Sequence, residues 1–356
     1  MSTNSFVFDA PAEGHYQTQW QAPSNIALIK YWGKYGQQLP QNPSISFTLS
    51  QCVTTTAVSF SPWEQGAAAF DFLFDQKKQP EFHPKIQQFL DRITPYFPAL
   101  EGYHLSISSQ NSFPHSSGIA SSASAMAALA LCIADFEKQF HSDWTEEAFL
   151  QKASFLARLG SGSAARSIVG PLMVWGHSKA FPQSNDQYAI APAVELHPIF
   201  QDYQDTVLIV DKGQKKVSST LGHGLMQGHP FATQRFEQAH THLEQLKTAL
   251  SSGDLEHFID LTEAEALTLH AMMMTSNPRF VLMQPNTLAI LQKVGDYRTQ
   301  TGRPLCFTLD AGANVHLLYP KKDRTPIMDF IQKELLVYCE QGQYIEDQVG
   351  NGAKKI

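Results

Sequence analysis

One Ser- and Gly-rich segment has the composition of a phosphate-binding loop. The stretch NSFPHSSGIASSASAMAALA, residues 111–130, places hydroxyl groups and one glycine directly before an Ala-rich run that predicts a helix. Unpaired N–H groups and the dipole at a helix start favour a phosphate, and Gly118 would let the backbone approach it closely. An ordinary capped helix is the alternative interpretation, so the segment needs support from elsewhere in the chain.

Three further segments place charged side chains at strand ends or in turns. In NIALIKYWGK, Lys30 and Lys34 follow an apolar strand, where two ammonium groups could bind phosphate oxygens. In ARLGSGSAARS, Arg166 offers a planar fork for a carboxylate or phosphate, and in FTLDAGAN, Asp310 is a candidate base or orienting acceptor. The ordinary alternatives are solvated lysines, a tight turn and an Asp that bonds its own backbone. Together the segments predict two polyanionic substrates at one acid or base.

The composition argues against several classes of function. With 26 basic and 33 acidic residues, the net charge is −7, which disfavours binding of nucleic acid or anionic membrane. The four cysteines lack CxxC spacing and the first residues do not resemble a secretory signal, so we expect a cytoplasmic location. No GxxxxGKS/T motif occurs, and no GxGxxG follows a strand. His240 and His242 are interpreted as surface residues of a polar helix.

The hydrophobic pattern predicts an α+β protein with two lobes. The 356 residues, of which 43% are hydrophobic, suffice for a large core. A polar, Pro-containing segment, 178–198, predicts the boundary, which divides the chain into lobes 1–190 and 191–356. Periodicity predicts strands over 26–31, 44–49, 55–60, 70–74, 104–108, 206–210, 305–309 and 315–319, and helices over 83–97, after 117, after 145, and over 232–250, 255–273, 287–299 and 327–336.

Seven motifs in order resemble the mevalonate diphosphate decarboxylases of the GHMP kinase superfamily, over about residues 22–319. They are NIALIKYWGK, LPQNPSISFTLS, NSFPHSSGIASSAS, GSGSAARS, KKVSST, LHAMMMTSNP and FTLDAGAN. The resemblance implies a two-lobed GHMP kinase fold, with a first lobe like ribosomal protein S5 domain 2, a ferredoxin-like second lobe and the active site in the cleft between them. It also implies ATP-dependent decarboxylation of (R)-5-diphosphomevalonate to isopentenyl diphosphate, ADP, phosphate and carbon dioxide, through phosphorylation of the C3 oxygen, in the mevalonate pathway.

The resemblance implies roles for individual residues. Asp310 matches the aspartate positioned against the C3 hydroxyl, Arg166 matches the arginine that holds the substrate carboxylate, and Lys30 is catalytic with them. The implied substrate-binding residues are Lys30, Tyr31, Trp32, Gly33, Lys34, Ser161, Gly162, Ser163, Arg166 and Ser219. The implied ATP-binding residues are Ser116, Ser117, Gly118, Ile119, Ala120, Ser121 and Ser122. ATP is the implied co-substrate, Mg²⁺ is expected to neutralise the neighbouring anions with Ser122 as a candidate ligand, and a homodimer is implied.

Three departures from the family pattern lie near these residues. Ala313 stands where the family often has Pro after DAG, which should loosen the turn. His115 and Ser116 stand where many relatives have Thr and Ala, and Thr220 stands where some bacterial relatives have arginine. We therefore expect altered nucleotide contacts and one phosphate contact that is missing or supplied elsewhere.

Two other classes of function share these features. One is a sister enzyme that acts on mevalonate or its monophosphate, as a kinase or as a monophosphate decarboxylase. The other is a non-catalytic sensor that binds nucleotide or isoprenoid precursors. Lys30 and Lys34 favour a diphosphate substrate, and the intact Asp310 and Arg166 favour catalysis over sensing.

Overall fold

A computed structural model of the chain describes residues 7, 14–64, 66, 68–114, 119, 121–141, 143–212 and 219–356, without the side chains of 219 and 220. The strands are β1 (Tyr16–Ile29), β2 (Lys34–Tyr35), β3 (Leu39–Pro40), β4 (Ser44–Pro62), β5 (Phe70–Phe74), β6 (Lys77–Lys78), β7 (Tyr103–Asn111), β8 (Leu172–Trp175), β9 (Gln204–Leu208), β10 (Cys306–Leu309), β11 (Val315–Tyr319), β12 (Tyr344–Gln348) and β13 (Lys354–Lys355). The helices are α1 (His83–Ile93), α2 (Ser121–Lys138), α3 (Glu146–Gly160), α4 (Ser219–Gly224), α5 (Ala232–Ser252), α6 (Leu255–Thr275), α7 (Pro285–Thr301) and α8 (Arg324–Phe330).

The first lobe is a mixed sheet covered by helices. Its strand order is β13-β1-β4-β7-β5-β6, and β8 pairs with the beginning of β4. The Ala-rich helix α2 packs between this sheet and α3, and Ala127 and Ala130 are fully buried because their small side chains allow close approach. The Ser24 hydroxyl of β1 donates to the Ile119 carbonyl at 3.0 Å. This bond places Ile119, two residues before α2, beside β1.

The second lobe is an antiparallel sheet in the order β10-β11-β9-β12. Helix α6 contacts both β10 of this sheet and β1 of the other, so it lies between the lobes. Asp347 of β12 accepts hydrogen bonds from three successive N–H groups of β4, those of Ser50, Gln51 and Cys52, at 2.9, 2.8 and 2.7 Å. These bonds join the two lobes directly.

The α+β architecture with two lobes confirms the predicted fold class. The domain boundary between 190 and 191 stays a prediction. The last strand does return to the first lobe, because Lys354 and Lys355 of β13 pair with Gln21 and Trp20 of β1. The first lobe therefore contains residues from both ends of the chain.

Several predicted element bounds are wrong for identifiable reasons. The strands predicted over 44–49 and 55–60 are one strand, β4, because no Gly or Pro interrupts the residues between them. The helix predicted over 83–97 ends at Ile93, because Pro95 lacks the N–H that would continue it. The strands β8 and β12, with four and five residues, were not predicted.

Candidate active site

Lys30 and Asp310 meet in a cavity of about 360 Å³ that residues of both lobes line. Lys30 directly follows β1 and Asp310 directly follows β10. The Lys30 Nζ lies 3.3 Å from Asp310 Oδ1, and the two side chains are 2% and 30% exposed. Burial lowers the pKa of Lys30, and the Asp310 carboxylate opposes that shift. The site thus pairs a buried amine with a carboxylate that reaches the cavity.

Arg166 presents a third charged group to the same cavity. It lies in the 3₁₀ turn Gly162–Ser167, and its guanidinium donates to Ser46 Oγ at 3.0 Å, to Ser44 Oγ and to Asn25 Oδ1 at 3.4 Å. Burial lowers the pKa of Arg166 to about 10 while Asp310 raises it, so the group stays protonated at neutral pH. Neutral oxygens orient this cation, which suits it to bind an anionic ligand.

Tyr31 and Gly162 face each other in the lining of the cavity. In the described part of the chain the buried Tyr31 hydroxyl has no hydrogen-bond partner, and burial raises its pKa, so it remains a phenol that can donate. A Cβ at Gly162 would lie 2.8 Å from that hydroxyl and 2.9 Å from the Trp175 ring. Glycine is therefore required at 162 for Tyr31 and Trp175 to keep these positions.

The YWG turn packs against His223 of α4. The Gly33 N–H, in a residue with φ of +96°, donates to His223 Nδ1 at 3.0 Å. The imidazole centroid lies 4.1 Å from that of Tyr31 and 4.8 Å from that of Trp32. Ser219 begins the same short helix, but its side chain lies outside the described residues. His223 thus connects the predicted substrate turn to the segment that carries Ser219.

Burial lowers the pKa of His223 to about 3, which predicts a loss of stability in acid. Below pH 6.5, the ordinary pKa of histidine, the unfolded chain binds a proton at His223, whereas His223 of the folded protein stays neutral. The stability of the folded protein is therefore not reduced by His223 above pH 6.5, and it falls progressively as the pH decreases from 6.5 toward 3. The Oδ1 of an asparagine at 223 can still accept from the Gly33 N–H. We expect His223→Asn to reduce the slope of the unfolding free energy against pH by up to about 1.4 kcal/mol per pH unit.

Urea titrations at several pH values between 6.5 and 4.5 measure this effect. The matched control is His257→Asn, because Asp254 raises the pKa of the exposed His257 and gives the opposite sign. Equal pH slopes for wild type and His223→Asn would contradict the prediction.

The two small-residue loops lie beside each other. Ser122, in the first turn of α2, lies opposite Ser161, which follows α3, with 3.5 Å between the two Oγ atoms. The Ser163 carbonyl accepts from Asn25 Nδ2 at 3.1 Å. Ser122, Ser161 and Ser163 all line the cavity. The structure therefore brings Ser122, the last residue of the predicted ATP loop, to the predicted substrate loop.

The structure describes some of the remaining predicted residues, and others lie outside the described ranges. Lys34 lines the cavity, donates to Gln38 Oε1 at 2.8 Å and has a pKa lowered by burial and then by Arg92. Ser121 begins α2, and Ile119 is buried. The predictions for Ser116, Ser117, Gly118 and Ala120, and the departure at His115, lie outside the described residues.

Sequence reasoning missed several residues that line the cavity. His223 had one usable signal, since it lies one helical turn after Ser219. Lys85 and Gln88 belong to α1, whose apolar positions alone were used to predict it as a helix. Among the missed lining residues are Asn25, Gln38, Lys85, Gln88, His223 and Leu269.

Comparisons with known proteins identify the family that the chain resembles. Residues 22–189 match the family description "Diphosphomevalonate decarboxylase-like N-terminal domain". Residues 206–354 match "Mevalonate 5-diphosphate decarboxylase C-terminal domain". The diphosphomevalonate decarboxylase of Aspergillus fumigatus is 31% identical over 324 residues, which cover 86% of this chain and 78% of that protein.

Solved structures show the same similarity. The mevalonate diphosphate decarboxylase of Staphylococcus aureus is 29% identical with a TM-score of 0.82, covering 96% of this chain and 98% of that one. A complex of MDDEF with MVAPP, AMPPCP and magnesium is 27% identical with a TM-score of 0.82, covering 96% and 99% of the two chains. Within the described residues of the present chain, no helix has the length and apolar character needed to cross a membrane.

Proposed function

The chain belongs to the diphosphomevalonate decarboxylase family, and from this premise we propose how its own cavity carries out ATP-dependent decarboxylation of (R)-5-diphosphomevalonate. The observation that carries the proposal is the contact between Lys30 and Asp310, at 3.3 Å, in a cavity that Arg166 also lines. A buried cation, a carboxylate and an oriented guanidinium supply the charges that phosphoryl transfer followed by decarboxylation requires.

The first step makes a leaving group. The Asp310 carboxylate accepts the proton of the C3 hydroxyl as that oxygen bonds to the γ-phosphorus of ATP and the bond to the ADP oxygen breaks. The Lys30 ammonium lies 3.3 Å from Asp310 and stabilises the negative charge of the phosphoryl group during its transfer. The product is the 3-phosphorylated diphosphate. This step is needed because hydroxide is a poor leaving group, whereas phosphate is a good one.

The second step releases carbon dioxide. Phosphate leaves C3 with the electron pair of the C–O bond, and the electron pair of the C1–C2 bond forms the C2=C3 double bond of isopentenyl diphosphate. Arg166 holds the carboxylate in one orientation through its planar fork, which Ser44, Ser46 and Asn25 fix from behind. Orientation of this group determines which bond breaks.

The remaining lining residues bind the two phosphate chains. Lys34, the free Tyr31 hydroxyl and the loop that contains Ser161 and Ser163 line the cavity and support binding of the substrate diphosphate. The substrate-binding roles proposed for Trp32, Gly33, Gly162 and Ser219 and the ATP-binding roles proposed for Ser116, Ser117, Gly118, Ile119, Ala120, Ser121 and Ser122 rest on the family motifs.

The described residues suit a magnesium ion that arrives with the nucleotide. They contain no group of three or more His, Cys, Asp or Glu side chains that could hold a metal ion. Mg²⁺ takes several of its ligands from phosphates and water, so the protein needs to supply few of them, and the Ser122 hydroxyl would be one. When bound, the ion neutralises phosphate charge.

A substrate panel tests the proposed function. The purified protein is incubated with ATP, Mg²⁺ and each of mevalonate, its 5-phosphate and its 5-diphosphate, and ADP and carbon dioxide are measured. We expect both products with the diphosphate. ADP without carbon dioxide would indicate a sister kinase, carbon dioxide from the monophosphate would indicate a monophosphate decarboxylase, and neither product would indicate a sensor.

We also propose a cytoplasmic homodimer. Four buried, unpaired cysteines support a reducing compartment, and the family resemblance supports the dimer. Light scattering after size-exclusion chromatography tests the dimer, for which one chain has a mass of 39.7 kDa.

A further inference from the structure

Helix α6 contacts the backbone of both members of the Lys30–Asp310 pair. Lys30 and Asp310 each lie immediately beyond the end of a strand, in different lobes. The hydrogen bonds of the strand ladders therefore do not hold these residues. Glu265 and His270, both on α6, provide hydrogen bonds at these two points. They add to the bonds that Asn42 Nδ2 and the Gly312 N–H donate to the carbonyls of Lys30 and Asp310, at 2.9 and 2.7 Å.

Glu265 holds the peptide groups of Lys30 through a buried network. Glu265 Oε2 accepts from the Lys30 N–H at 2.9 Å. Arg235 of α5 donates to both Glu265 oxygens, at 2.9 and 2.6 Å, and also to the Lys30 carbonyl at 3.2 Å. His242 Nδ1 lies 2.8 Å from Glu265 Oε1. The network thus binds Lys30 at its N–H and at its carbonyl.

The charge of Glu265 is retained in this network. Burial alone would raise the pKa of Glu265, but the Arg235 guanidinium and the hydrogen bond from His242 lower it below its usual value. The side chains of Arg235 and Glu265 are both 0% exposed. A fully buried, bidentate pair of this kind restricts position strongly, because either partner left alone would be an uncompensated charge.

His270 holds Asp310 from the same helix. Its Nε2 lies 3.1 Å from the Asp310 carbonyl, which only accepts, so the proton is on Nε2. Burial lowers the pKa of His270 to about 4, so the ring is neutral at physiological pH. A neutral donor orients the Asp310 backbone without placing a second cation beside the carboxylate.

We propose that Glu265 and His270 are positioning residues, through which helix α6 sets the spacing between the Lys30 amine and the Asp310 carboxylate across the two lobes. This inference rests on the proposed function, because the reaction needs that spacing. Glu265 and His270 contact the backbone of the catalytic residues and do not line the cavity. Misplacement of a catalytic group by about 1 Å can cost about a hundredfold in rate, so kcat should be sensitive to both.

Steady-state kinetics of substituted proteins, each compared with a control variant, test the proposal. We expect Glu265→Gln to lower kcat about tenfold or more with KM values within about threefold. His270→Ala should lower kcat similarly, and His270→Gln, whose amide can still donate, should restore most of it. The control for loss of a buried ion pair is Glu137→Gln, since Glu137 pairs with Lys152 at 2.7 Å within the first lobe. This control should lower stability but not kcat.

A double-mutant cycle separates positioning from general destabilisation. If Glu265 acts through Lys30, Glu265→Gln should cost less than about twofold in kcat once Lys30→Ala is present. Equal losses in both backgrounds, equal kcat for His270→Ala and His270→Gln, or a kcat of Glu265→Gln that matches Glu137→Gln would each overturn the proposal.

A labelling experiment tests the inference independently of the reaction. Acetylation of Lys30 by acetic anhydride, followed by mass spectrometry, should be faster in Glu265→Gln and His270→Ala than in wild type, because the amine is no longer held beside Asp310. Unchanged labelling rates would overturn the positioning role. Faster labelling of the two variants, together with a wild-type protein that releases no carbon dioxide, would support positioning while contradicting the proposed function.

Discussion

Asp310→Asn is expected to lower kcat by about two to four orders of magnitude, because a carboxamide cannot accept the proton of the C3 hydroxyl. The substitution keeps the size of the side chain, so the KM values for ATP and diphosphomevalonate should change by less than about threefold. Steady-state kinetics that follow ADP formation over both substrate concentrations measure this split.

The control for loss of a carboxylate is Asp260→Asn. Asp260 is exposed on α6 and does not line the cavity. It should leave kcat and both KM values unchanged. If Asp310→Asn retained a kcat close to that of Asp260→Asn, the assignment of Asp310 as the acceptor would be wrong.

Arg166→Lys is expected to impair both binding and turnover of diphosphomevalonate. Lysine keeps the positive charge but loses the planar fork and the three neutral oxygen contacts that orient it. We expect KM for diphosphomevalonate to rise about tenfold or more and kcat to fall about a hundredfold, while KM for ATP stays constant.

Arg298→Lys is the control for this prediction. Arg298 of α7 donates to both oxygens of Glu263, at 2.7 and 3.0 Å, and lies outside the cavity lining. It should leave both KM values unchanged. A KM effect on ATP equal to that on diphosphomevalonate in Arg166→Lys would contradict the assignment of Arg166 to the substrate carboxylate.

The sequence predicted the charged residues of the site because they interrupt strong local patterns. Lys30 and Asp310 each follow an apolar run, and Arg166 follows a run of small residues. Strand periodicity therefore located the carboxyl-terminal ends of β1 and β10 to within about two residues, whereas β1 begins at Tyr16, well before the predicted start at 26. The proximity of residues so far apart in the chain was available only from the family resemblance, since no local pattern encodes it.

The supporting network could not be predicted for a different reason. Helix α5 has a polar sequence, so His242 was interpreted as a surface residue. The structure shows His242 partly buried and bonded to Glu265, so that interpretation is wrong. Arg235 of the same helix is buried because Glu265 compensates its charge. In the sequence of one helix, the charged residues of a buried interhelical ion pair look the same as those of a solvent-exposed face. The two cases can be distinguished only when the partner helix is known.

The stoichiometry of products from diphosphomevalonate tests the central claim most directly. Wild-type protein, ATP, Mg²⁺ and diphosphomevalonate labelled at the carboxyl carbon are mixed, and ADP, inorganic phosphate and labelled carbon dioxide are measured over time. If the cavity uses ATP to make a leaving group, the three products should form in equal amounts at every time point after the first turnover. Sustained ADP formation without labelled carbon dioxide, or carbon dioxide release without ATP, would contradict the account.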